Sequence, residues 1–142
     1  MTVLRRTVDV TKSLDETWAF LSDFASSAVW DPGVASARKA TDGPIGVGTS
    51  YDLEVTFNGR TLPMTYTVTA WEPKRRVVLE GRGSTVRATD TITFEATASG
   101  TRIGYTADLR LPGVLRVMEP FMGKRFDALA DAAMDGLRRS LA

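Results

Sequence analysis

Two segments that face each other across Asn58-Gly59, SYDLEVTF and RTLPMTYTVTAW, restrict the fold of this chain more than any other feature. Asn-Gly is a strong signal for a two-residue hairpin, because a type I′ turn needs positive φ at both central positions. A turn placed there opposes Val55 to Leu62, Leu53 to Met64 and Tyr51 to Tyr66. Each pair falls on the apolar parity of its strand, so turn chemistry and alternation agree on one register. Downstream, a turn at EPKR opposes Ala70 to Val77 and Val68 to Leu79. A turn at Ser99-Gly100 opposes Ala96 to Ile103, Phe94 to Tyr105 and Ile92 to Ala107. The expected product is one antiparallel meander with a single apolar face. The opposite face collects Asp52, Glu54, Thr65, Thr67, Arg76, Glu80, Arg87, Thr89, Thr91, Arg102 and Asp108, and is solvated, with Val78 its main exception.

A sheet with one apolar face needs a cover. Leu115, Met118, Met122, Phe126, Leu129, Ala130, Ala133, Leu137 and Leu141 recur at three- and four-residue steps, with Lys124, Asp127, Asp131, Asp135 and Arg138 opposite. This spacing predicts a long amphipathic C-terminal helix, kinked at Pro120 or starting there. At the other end LRRTVDV alternates as a first strand, although Arg6 lies on its apolar parity. Ser13 and Glu16 stand in capping-box spacing ahead of the helix TWAFLSDF, and a second short helix, SSAVW, stops at Asp31-Pro32-Gly33. KATDGPIGVGTS, residues 39–50, lacks the GK[ST] ending of a phosphate loop and reads as a connection between strands.

The 142 residues fit a single domain, 1–142, and 43% hydrophobic with 25% charged residues is ordinary globular composition. The chain has no histidine and no cysteine. That excludes Ser-His and Cys-His nucleophile chemistry, disulfides and nearly every zinc site, leaving Asp, Glu, Tyr or Lys as acid or base. A net charge of +1 makes no electrostatic case for nucleic acid, and Lys74, Arg75, Arg76, Arg82 and Arg87 read as a solvated face. The amino-terminal segment is no secretory signal and the apolar runs are far short of a membrane span, so a cytoplasmic location is expected.

Strand, two short helices, six-strand meander and long helix resemble, in that order, the helix-grip (START / birch-allergen-like, SRPBCC) superfamily. Within it the chain looks like the bacterial polyketide cyclase/dehydrase-like family. VDVTKSLDETWAFLSDFASSAVWDPGV is similar to the family's opening, PIGVGTSYDL, WEPKRRVVLEG and GTRIGYTADL to its later blocks, and MEPFMGKRFDALADAAMDGLRRSL to its closing helix. The resemblance implies an α+β fold with a curved antiparallel sheet of about seven strands wrapped around the C-terminal helix. It also implies an elongated cavity between the two.

The apolar parity then faces the cavity, and its polar members are Arg6, Tyr51, Tyr66, Asp90 and Tyr105. Asp90 sits mid-strand, opposite Val77 and Leu109 in these registers, so a partner is expected for its charge; Arg6 is the simplest one. Expected ligand contacts are Trp30, Tyr51, Leu53, Met64, Tyr66, Leu79, Asp90, Phe94, Tyr105, Met118, Met122 and Phe126, with Trp18 in the core. The expected function is binding or transport of a small hydrophobic molecule such as a polyketide, lipid or isoprenoid. The alternative is a cyclase/dehydratase in which Asp90, Arg6 and Tyr66 carry the chemistry. A protein-interaction module stands third. No metal or cofactor is implied, and the chain is expected as monomer or homodimer, without nucleic acid or stable membrane insertion.

Overall fold

The computed structural model describes residues 2–57, 59–111 and 119–142, with the backbone alone at 119–122. The order begins β1 (Thr2–Val10), α1 (Leu14–Leu21), a 3-10 turn (Phe24–Ser26), α2 (Ser27–Trp30), β2 (Val34–Lys39) and β3 (Ser50–Phe57). It continues β4 (Arg60–Glu72), β5 (Arg76–Arg82), β6 (Arg87–Thr97), β7 (Gly100–Arg110) and α3 (Glu119–Ser140). Every neighbouring pair of strands is antiparallel, and the sheet runs β1-β7-β6-β5-β4-β3-β2. The first strand lies beside the last and α3 covers the apolar face, the helix-grip arrangement the resemblance implies.

The β3–β4 register has the three expected pairs, and Phe57 opposite Arg60 closes the turn with Gly59 at φ 74°. Positive φ there costs a glycine little. Three other registers differ from expectation. In β4 the pairing shifts by one between Val68 and Ala70, so Trp71, not Ala70, opposes Val77. The extra residue exchanges the faces beyond it. Trp71 thereby reaches the apolar side and packs on Trp18, ring centroids 4.9 Å apart. Between β6 and β7 the turn residues are Ala98-Ser99, one residue earlier than expected, and Phe94 opposes Ile103 while Ile92 opposes Tyr105. A one-residue move of the turn shifts pairing by two and keeps the faces, because the side-chain period is also two. Asp90 accordingly opposes Ala107 rather than Leu109 on β7, and a separate two-residue difference in the β5–β6 register sets it against Leu79 rather than Val77.

Val8, Val68, Val77, Ile92 and Ile103 from the sheet meet Leu21, Trp30, Ala133, Met134, Leu137 and Leu141 in one buried core. Lys124, Asp127, Asp131, Asp135 and Arg138 take the outer side of α3. The described helix begins at Glu119 with Pro120 in its first turn; Leu115 lies outside the described residues. Ser13 caps α1, its hydroxyl accepting from the Glu16 N–H at 3.2 Å. Gly136 brings α3 against the end of α2: a β-carbon there would strike the Trp30 carbonyl oxygen and lie 2.7 Å from its carbon. This contact holds Trp30 and the Asp31 that follows it under the helix. The basic residues of the β4–β5 turn are solvated, as expected, with Lys74 paired to Asp15 at 2.8 Å.

Candidate functional site

Between the sheet and α3 lies a cavity of about 390 Å³. That size falls in the range of small-molecule sites. Its walls are mainly apolar: Val55, Leu62, Met64, Ala107 and Leu109 from the sheet, and Leu129, Ala130, Ala133 and Met134 from the helix. The ionisable side chains among its lining are Arg6, Asp31, Tyr66, Asp90 and Tyr105.

Asp90 projects from the middle of β6 and is only 6% exposed. The Tyr105 hydroxyl, on neighbouring β7, donates to its Oδ2 at 2.5 Å. Burial pushes the Asp90 carboxyl up to about 7; the Tyr105 hydrogen bond opposes that rise and the negative charge of Asp31 adds to it. Loss of hydration disfavours the carboxylate more than one phenol restores it. Burial and the nearby Asp90 likewise hold Tyr66 and Tyr105 well above the ordinary phenol value. At neutral pH the group is therefore a carboxyl poised between its two forms, beside two un-ionised phenols.

The geometry around it is set by close packing. Tyr66 lies across the β4–β5 ladder from Gly81, and a β-carbon on that glycine would come 2.6 Å from the phenol ring. Phe24 supports the same ring from below, centroids 5.0 Å apart. Trp30 is buried, donates its indole N–H to Ser26 Oγ at 3.1 Å, and meets Tyr105 edge-on at 5.8 Å. Near the far wall Phe57 stacks on Phe126 at 5.2 Å and 19°, joining the β3–β4 hairpin to α3.

Arg6 does not pair with Asp90. Its Nε donates to Asp131 at 2.8 Å and an Nη to Asp127 at 3.0 Å, both carboxylates on the solvent side of α3. Arg6 opposes Tyr105 on β7, which stands between it and β6. The long side chain reaches outward instead, where two hydrated carboxylates meet it at less desolvation cost than a buried partner. It forms the cavity's rim.

Of the other residues expected at the site, Trp30, Met64, Tyr66, Asp90, Tyr105 and Phe126 line the cavity. Tyr51, Leu53, Leu79 and Phe94 do not: they point to the correct face but fill solid core, Phe94 against Trp18 and Tyr51 against Phe24. Met118 lies outside the described residues, as does the side chain of Met122. Asp31 was not expected. Its Oδ1 accepts from the Gly33 N–H at 2.8 Å, and burial pushes its carboxyl up to about 6 despite that bond. It stands in a turn without periodicity, so alternation gave it no face; its one signal was the adjacent Trp30. Among the described residues no group of three or more acidic side chains is placed to hold a metal ion.

A family model described as "Polyketide cyclase / dehydrase and lipid transport" matches residues 1–142. The structure is similar to that of the Zhui aromatase/cyclase from Streptomyces sp. R1128, with 14% identity, TM-score 0.81, and 99% of this chain and 93% of that one covered. A protein from Thermus thermophilus matches at 14% identity and TM-score 0.83, covering 99% and 97%. A START superfamily protein from Mycobacterium smegmatis matches at 16% identity and TM-score 0.74, covering 99% of each chain. Among curated proteins no relative matches in sequence. At these identities the structural neighbours speak for the fold.

Proposed function

Because the chain belongs to the polyketide cyclase / dehydrase and lipid transport family, we propose that it binds a small hydrophobic molecule between its sheet and α3. The observation that carries this reading is the cavity of about 390 Å³, walled by aliphatic and methionine side chains with few polar groups. A space of that size left unfilled forfeits the packing contacts its lining would otherwise make. Occupation by an apolar guest restores them. Asp90, Tyr105, Tyr66 and Asp31 at one end orient the guest's polar group, and Arg6 with its aspartates marks the rim.

Native mass spectrometry of the protein after incubation with an organic extract of its source cells tests this. A reproducible added mass is expected, lost in Met64→Trp. No adduct from any extract, with the fold intact, would remove the carrier reading.

The Asp90–Tyr105 hydrogen bond favours a second reading, an acid-base enzyme acting on a β-keto chain. The Asp90 carboxylate would take a proton from the carbon between two carbonyls while a phenol hydroxyl donates to the enolate oxygen. On aldol closure the protonated carboxyl would return that proton to the new alkoxide. It would then take the second proton from the same carbon and deliver it to the departing hydroxide, which leaves as water. Arg6, held by Asp127 and Asp131, is not free for the enolate-stabilising role considered from sequence. Turnover of a β-keto probe that disappears in both Asp90→Asn and Tyr66→Phe would establish this enzyme, and binding without turnover would leave the carrier.

A further inference from the structure

The polar end of the cavity has an unusual charge balance. Asp90 and Asp31 both line it, and the one described cation among the lining residues is Arg6, which is committed to Asp127 and Asp131 at the rim. Tyr105 occupies Oδ2 of Asp90, while no donor among the described residues reaches Oδ1. Asp90 nevertheless is almost wholly withdrawn from solvent, being 6% exposed. A carboxylate so placed lacks the counter-charge that buried ions normally have. Around it stand the rings of Trp30, Tyr66 and Tyr105, whose faces attract cations.

We propose that the ligand is a hydrophobic amine whose ammonium group binds beside Asp90 and Asp31, with its apolar body along the α3 wall. This inference rests on the cavity reading above and names the chemistry of the guest's head. An ammonium supplies the missing donor to Asp90 Oδ1 and offsets the mutual repulsion of the two carboxylates. It replaces, with a positive ligand, the proton that burial and repulsion otherwise keep on the site. A carboxylate-headed lipid meets the opposite situation, with two acidic groups facing its own charge and no unengaged cation among the described lining residues.

Proton linkage follows from the groups that face Asp90. Tyr105 on β7 and Tyr66 on β4 are un-ionised phenols, Leu79 and Gly81 on β5 carry no charge, and Asp31 approaches from the end of α2. At the rim Arg6 on β1 faces Asp127 and Asp131 on α3. Asp90 passes from mostly protonated at about pH 6 to mostly ionised at about pH 8. Amine affinity is therefore expected to rise about tenfold over that interval, as the competent form grows from a minor to a major fraction.

Calorimetric titration of the full chain with decylamine, decanol and decanoate, which share one apolar chain, decides the matter. At about pH 8 decylamine is expected to bind about tenfold or more tightly than decanol, and decanoate least. The amine-to-alcohol ratio is expected to collapse toward one in Asp90→Asn, and to fall in Asp31→Asn should the first variant not fold. Decanol binding as tightly as decylamine overturns the amine assignment while leaving a hydrophobic carrier. Absence of binding by all three probes fails the cavity reading itself. An amine preference kept in Asp90→Asn and Asp31→Asn but lost in Asp127→Asn/Asp131→Asn places the amine at the outer rim and overturns the inference.

Discussion

Asp90 is the residue at which composition, geometry and electrostatics meet. With no histidine in the chain, the carboxyls of Asp90, pushed up to about 7, and Asp31, pushed up to about 6, titrate near neutrality inside the cavity. The consequence for stability has a definite sign. A carboxyl whose folded value lies above its unfolded one stabilises the fold below the unfolded value, about 3.8, and loses that contribution as pH rises through the folded value. Asp31 adds a smaller contribution of the same sign that fades through about pH 6, and Asp90 one that fades through about pH 7. Native stability should therefore fall from about pH 4 to about pH 7, by an amount on the order of a few kcal/mol. Asp90→Asn keeps an acceptor for Tyr105 without the charge, so its urea midpoint should lie nearest the wild type at about pH 4 and exceed it increasingly up to about pH 7. Parallel pH curves for the two proteins would show that Asp90 is ionised at no cost. The position and face of Asp90 were legible because it interrupts an alternating strand. Its partner was not: the resemblance already leaves one strand between Arg6 and Asp90, but nothing in the spacing reveals that Arg6 turns out to Asp127 and Asp131.

At the scale of elements, legibility followed period. The β3–β4 pairing was readable because the Asn58-Gly59 turn and the apolar parity constrain the same register independently. The β6–β7 turn lacked that second constraint, since Ser99-Gly100 and Ala98-Ser99 give registers that keep the same faces. The bulge before Ala70 left no mark in composition, yet it decides that Trp71 rather than Ala70 packs on Trp18. Asp31 was missed for the same reason: a turn residue has no period, and only docking of α2 on α3 carries it to the cavity. Gly136 makes that docking possible, so Gly136→Ala should displace Trp30 and Asp31 together. A destabilisation of about 1–3 kcal/mol is expected in urea unfolding, with weaker ligand binding than the stability loss alone produces. Unchanged stability would mean that α2 and α3 separate freely. On the opposite wall, Phe126→Ala removes the stack on Phe57. It should raise the ligand dissociation rate, measured by stopped flow, more than it alters the association rate, because the lost contact is one made to a bound guest.

For the molecule as a whole, the question is whether the cavity serves the fold or a guest. The sheet and α3 share a core of tightly buried side chains at one end, through Val8, Ile103, Leu137 and Leu141, while the other end stays open around Asp90. A protein held together only by packing gains from closing such a space, since voids cost their lining atoms contact energy. The variant Ala130→Leu separates the two purposes. Ala130 lines the cavity from α3, and leucine is nearly as good a helix former as alanine. If the space exists for a ligand, filling it should hold or raise unfolding free energy by about 0.5–2 kcal/mol while weakening ligand binding about tenfold or more through lost volume. The wild type, in contrast, should gain stability only in the presence of its guest, by about 2.7 kcal/mol at a hundredfold excess over Kd. Calorimetric melting of both proteins, with and without the tightest-binding probe, compares the two gains directly. A variant that melts lower while binding as before would show that the open end is part of the fold's own packing, and that the guest sits elsewhere.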